Sequence, residues 1–239
     1  LLLVLILFLT TQLWSENPAR WDHISGKWGV KNSHLTETRG WANRWRYYEL
    51  MNNNSILLTR PFYSITDYSF QATLNRGNCK MTPLFMAVFG ILGPESAPGW
   101  LYRFFALQLS GDDEGIHYVR LVYSDRLDLS APTNIKDNYY VKELAGADFS
   151  LPYGETRTFN ISIRGRDVTI TADGTEILHA KVPESYGWFD GRMGFSSSNC
   201  HPSIDSVMIK NGETVLFEDN FDSGSIHAPT VKARVERTE

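Results

Sequence analysis

Two apolar-rich runs carry the side chains best suited to chemistry. From Leu101 to Leu109 the more apolar parity is Leu101, Phe105, Leu107 and Leu109, which leaves Tyr102, Phe104 and Gln108 pointing outward. From Ile116 to Tyr123 the same reasoning sends Val119 and Leu121 inward, with His117 among the inward set, and Tyr118 and Arg120 outward. Between Thr158 and Arg164, the outward set is Thr158, Asn160 and Ser162. An aromatic face beside amide, guanidinium and hydroxyl groups suits a sugar, whose C–H faces stack on rings while its hydroxyls take hydrogen bonds. Trp100 and Trp188, each preceded by a glycine, fall in expected rim loops and could add platforms. The competing reading is that these tyrosines and tryptophans simply close the edges of a core.

Oxygen-rich turns offer a second chemistry. Asp112-Asp113-Glu114 and the pair Asp219 and Asp222 could hold a calcium ion, although carboxylates favour solvated turns anyway. No other cofactor is indicated. Cys200-His201 has no spaced second pair to complete a zinc site, and no nucleophile elbow, phosphate loop or dinucleotide fingerprint occurs. Asn53 and Asn160 open glycosylation sequons, which matter only in a host that glycosylates exported proteins.

The elements that must position these groups are strands. The 239 residues are 42% hydrophobic and 13% aromatic, enough for a substantial core and too apolar for a disordered chain. A formal charge of −4 argues against nucleic acid as a partner, since phosphate binding needs a basic face. Alternation marks strands at Tyr68–Leu74, Thr158–Arg164, Val168–Ala172 and Ile204–Ile209. Asp173-Gly174 and Asn211-Gly212 are hairpin-turn dipeptides. Phe85–Ile91, Leu101–Leu109 and Ile116–Tyr123 are longer apolar strands. Trp41–Met51 is the one candidate for a short helix. Ser124–Glu155, rich in Asp, Asn and Pro, reads as a surface excursion with at most a short strand near Tyr139–Leu144. More than ten strands with regular turn signals describe an all-β, antiparallel two-sheet sandwich.

Leu1–Leu9 is uniformly apolar, and too short to span a bilayer, which takes ~20 residues. Residues 1–15 therefore read as a signal peptide or signal anchor, and the protein as secreted, periplasmic or surface-bound, with no other membrane segment. In an exported chain the pair Cys79 and Cys200 suggests a disulfide, though their separation in sequence says nothing about contact.

Four segments in order resemble the concanavalin A-like, laminin-G-like jelly rolls of exported proteins. They are Gly26-Lys-Trp28-Gly-Val30 through Leu35; Tyr63 to Phe70 with Asp67; Ile163-Arg-Gly165 through Asp173-Gly174; and Gly191-Arg-Met-Gly194-Phe195 with Ile204-Asp205-Ser-Val207. The resemblance spans about residues 20–210 and implies a jelly-roll domain over 16–217, with 218–239 a tail or the start of a further segment. It also implies that the Tyr68 strand pairs antiparallel with the Ile204 strand, which brings Cys79 and Cys200 to one sheet end. In such folds sugars bind the concave sheet or its rim. The resemblance thus implies an exported, lectin-like module in which Tyr102, Gln108, Tyr118, Arg120, Asn160, Trp100 and Trp188 meet carbohydrate or another surface polymer.

Catalysis is less favoured. The E-x-D-x-x-E strand of laminarinase-like relatives is missing, and His117 lacks the Gln of the lyase-type Gln-x-His. A hydrolase or lyase with a non-standard site, and a structural domain of a larger surface protein, remain the alternatives. Fold alone does not choose among them.

Overall fold

The computed structural model describes residues 21–25, 27–37, 55–59, 61, 63–92, 103–111, 114–124, 141–224 and 226. Trp41–Met51, the N-terminal apolar run, Trp100 and Tyr102 lie outside the described residues. Among the described residues thirteen strands follow in order: β1 (Trp21–Ser25), β2 (Trp28–Lys31), β3 (His34–Glu37), β4 (Ser55–Thr59), β5 (Tyr68–Leu92), β6 (Arg103–Gly111) and β7 (Gly115–Ser124), then β8 (Val141–Pro152), β9 (Arg157–Arg164), β10 (Asp167–Ala172), β11 (Thr175–Lys181), β12 (Arg192–Asn211) and β13 (Thr214–Asp219). A single 3-10 turn, Glu184–Tyr186, interrupts them among the described residues.

All pairings among these strands are antiparallel, and they build two layers that share two long strands. One layer runs β11, β10, β9, the first half of β5 and the second half of β12, with β13 and β3 on the far side of β12. The other runs β8, β7, β6, the second half of β5, the first half of β12, then β4 and β1. Straight, the 25 residues of β5 would reach about 80 Å at the usual rise per residue. Instead the β5–β12 pair breaks register between Ser198 and Cys200 and again between His201 and Ser203. Bulges bend and twist a strand pair, so each strand can serve both layers. Two strands expected separately on either side of this bend are therefore one, in β5 and again in β12. Cys200 is the register partner of Cys79 at the bend, and no free cysteine occurs among the described residues.

Alternation places the core between the layers. Phe159, Ile161 and Ile163 of β9, Val168 and Ile170 of β10, and Phe105, Leu107 and Leu109 of β6 are all buried in one cluster. Rings meet across the gap: Phe70 and Phe195 lie 5.9 Å apart, Phe149 and Phe159 5.6 Å, and Trp21 and Phe217 5.1 Å. The hairpin turn at Asp173-Gly174 has positive φ at both residues, as the sequence predicts. In the β12–β13 hairpin the turn sits one residue later than expected, on Gly212 and Glu213, with the positive φ at the glycine.

Two expectations change. Ser124–Glu155 contains a twelve-residue strand, β8, paired along β7, where at most a short strand is expected. It lies on the edge of its layer, and its small and acidic residues carry little strand signal without that partner. His117 is exposed rather than inward, because the register slips between Ile116 and Tyr118 and both Ile116 and Val119 point to the core. Core packing also continues past Phe217: Phe221 and Ile226 are buried in the same cluster.

Candidate functional site

Three register rows cross β5, β6, β7 and β8 on the face turned away from the core. The first is Leu84, Ser110, Tyr118 and Asp148; the second Met86, Gln108, Arg120 and Gly146; the third Val88, Ala106, Val122 and Glu143. Directly paired residues share a face, so the outward parity expected for Gln108, Tyr118 and Arg120 is realised. A slip in register between Leu121 and Val122 sets Glu143 opposite Val122 and Gly146 opposite Arg120. Glu143 thereby joins the same face.

The side chains interlock. Arg120 donates through Nε to Gln108 Oε1 at 2.6 Å and through Nη1 to Glu143 Oε2 at 3.3 Å. Tyr118 donates its hydroxyl to Glu143 Oε1 at 2.9 Å. That hydrogen bond is the main reason the Tyr118 phenol titrates above its ordinary value, with desolvation next, so it remains a donor at neutral pH. Glycine at 146 makes room: a Cβ there would strike Tyr118 Oη and lie 2.6 Å from Glu143 Oε1.

Depth differs across the network. Gln108 is 5% exposed, whereas the Arg120 and Glu143 side chains are 34% and 40% exposed. Gln108 forms a floor, with Arg120 and Glu143 as walls. Phe104, Ala106, Val88 and Val122 are buried beside it yet stand outside the inter-sheet core cluster. Phe104 therefore points away from the core as expected, but it is not exposed. Ser196, whose backbone pairs with Met86 in the second row, has a buried hydroxyl with no hydrogen-bond partner. Polar groups that direct hydrogen bonds beside an apolar flank are the chemistry that could hold a hydroxyl-bearing molecule.

Other expected residues are placed elsewhere. Asn160 pairs with Gln71 and Thr171 on the outer face of the opposite layer, among Thr158 and Ser162. Trp188 is 57% exposed in the segment after the 3-10 turn. The Arg166 guanidinium lies 5.2 Å from its ring centroid, and Arg103 donates to its carbonyl at 3.0 Å. Arg103 belongs to the core-side parity of β6, so Trp188 marks a sheet end and not the Gln108 face. Asp219 is buried, and both its oxygens accept from the protein: Oδ2 from Trp21 Nε1 and Oδ1 from the Phe221 amide, each at 2.9 Å. Asp222 accepts from Asn220 at 2.6 Å. Among the described residues no three His, Cys, Asp or Glu side chains converge as metal ligands. Glu143, Asp148 and Ser196 are the site residues that sequence reasoning misses. The first two lie on β8, whose strand character the sequence conceals.

This architecture is that of the concanavalin A-like jelly-roll sandwiches. A carbohydrate-binding module, CBM66 from Bacillus subtilis, superposes with a TM-score of 0.57 at 10% identity, over 82% of this chain and 98% of the module. A legume lectin-like domain from Entamoeba histolytica gives 0.52 at 11% identity, over 80% and 90% of the two chains. The Crh5 transglycosylase, solved in complex with NAG, gives 0.50 at 10%, over 81% and 79%. At these identities the likeness is one of fold. No family model and no curated protein matches the sequence.

Proposed function

We propose that this chain is a carbohydrate-binding domain that holds its ligand on the outer face of β6, β7 and β8 and does not cleave it. The hydrogen-bonded network of Gln108, Arg120, Glu143 and Tyr118 carries the reading. It presents an amide, a guanidinium, a carboxylate and a phenol within one patch of a lectin-type sandwich, the combination that hydroxyl-rich rings require. The carbohydrate-binding module and the legume lectin-like domain among its structural neighbours support it. A glycan array and a polysaccharide pull-down with the full chain test it; retention on no plant, algal or microbial glycan removes it.

A second reading is a glycan-transferring enzyme. Glu143 and Asp148 both pair onto the Tyr118 side of β7, and one neighbour of similar fold is a transglycosylase. The missing E-x-D-x-x-E pattern weighs for binding alone. Release of reducing ends or transfer to a labelled oligosaccharide, lost in Glu143→Gln, would establish the enzyme instead.

The apolar run at Leu1–Leu9 supports export of the domain. In an oxidising compartment Cys79 and Cys200 form a disulfide across the bend. Directly opposed residues in an antiparallel pair have Cα atoms about 4.5–5.5 Å apart, within the range a disulfide bridges.

A further inference from the structure

Resting on the carbohydrate reading, we propose that this face selects neutral sugars and rejects acidic ones, with Glu143 as the specificity-determining residue. Arg120 occupies the Oε1 of Gln108, which fixes the amide orientation and turns Nε2 away with its two donors. Gln108 is 5% exposed, and the buried Ser196 hydroxyl two strands away has no hydrogen-bond partner. Buried polar groups without partners are costly, and native proteins keep them where water or a ligand completes them. The amide donors and the hydroxyl suit the small polar oxygens of a hydroxylated ring.

Charge then selects the ring. The Arg120 guanidinium is engaged by Glu143 at 3.3 Å. Asp148, paired with Tyr118 and close enough to raise its pKa, adds a second negative charge. Around Tyr118 and Arg120, two carboxylates thus stand against one guanidinium. Glu143 is acceptor-only, so it takes O–H donors from a sugar and repels another carboxylate or a sulfate ester. A uronic acid would meet like charge and a cation already held, and juxtaposed like charges discriminate against the wrong partner.

The test uses the full chain and a panel of neutral gluco-, manno-, galacto- and fructo-polysaccharides, with polygalacturonate and alginate as acidic members. The tightest neutral binder is compared with its own C6-oxidised form, in which primary alcohols are carboxylates. Oxidation is expected to weaken binding at least tenfold, and raised salt should narrow the gap because the repulsion is screened beyond about 10 Å at 0.1 M. In Glu143→Gln, with folding checked by circular dichroism, neutral binding should fall about tenfold as a charge-assisted hydrogen bond is lost, while the neutral-to-acidic ratio shrinks. Asp148→Asn should shrink the ratio with less effect on neutral binding. Equal or tighter binding of the oxidised polymer, or a ratio untouched by both variants, overturns the inference and leaves carbohydrate binding standing. Retention of no glycan, neutral or acidic, removes the carbohydrate reading and the inference with it.

Discussion

Arg120 Nε lies 2.6 Å from Gln108 Oε1, and the two residues are direct register partners on β7 and β6. The contact joins a half-buried cation to a side chain at the bottom of the face. It uses one edge of the guanidinium, while Nη1 reaches Glu143, so a single planar group orients both neighbours.

Arg120→Ala should therefore reduce glycan affinity by tenfold or more with a small change in stability. The Arg120–Glu143 pair is partly exposed, and such pairs contribute about 0–1 kcal/mol to folding. Arg120→Lys should bind nearly as poorly, since an ammonium cannot span the same two acceptors. Titration calorimetry alongside thermal melts separates binding from stability; a lysine variant with full affinity would contradict the fork.

Gly146→Ala should perturb the site without disturbing the core. The added Cβ meets the Tyr118 hydroxyl and Glu143 Oε1, on the face of the edge strand turned away from the inter-sheet cluster. Overpacking of this kind costs about 1–3 kcal/mol when neighbours cannot give way, and less where a side chain can swing out. Loss of glycan binding with a modest fall in melting temperature is expected. Tyr118→Ala in the same chain should restore the melting temperature but not the binding.

Alkaline stability should depend on Tyr68. Its hydroxyl donates to the Phe189 carbonyl at 2.9 Å, and burial first, then the Asp190 charge, push its pKa well above 10.0. A folded-state pKa above the unfolded value means the folded state holds the proton more tightly. The contribution is complete below pH 10 and declines as pH rises above 10 toward the folded pKa. Tyr68→Phe should cost about 1–2 kcal/mol at neutral pH by stranding the Phe189 carbonyl. It should also flatten the loss of stability between pH 10 and 12, as denaturant melts followed by tryptophan fluorescence can show.

If Cys79 and Cys200 are bridged, reductant should lower stability by about 2–5 kcal/mol, the usual cost of removing a native disulfide. Cys200→Ser should be insensitive to reductant and as unstable as the reduced protein. Ellman titration of the unfolded, non-reduced chain should find no thiol. Finding two would refute the bridge.

Much of the fold is legible in the sequence because it is written locally. The alternation of Phe159, Ile161 and Ile163, and the left-handed preference of Asp173-Gly174, need only neighbouring residues to be read. The outward parity of Gln108, Tyr118 and Arg120 follows for the same reason, since a strand's period of two sets faces without reference to its partner. His117 fails that rule because a bulge changes the count, and bulges arise from pairing.

Sequence by itself thus determined an all-β sandwich, its hairpins and three of the four side chains in the hydrogen-bonded network. Tertiary structure alone decided which of those faces coincide. It set Asn160 on the opposite layer and Trp188 at a sheet end, and it brought in Glu143 from a strand whose own residues scarcely announce one. Strand period is a property of one segment. Register between segments is a property of the folded chain, and the site is built from register.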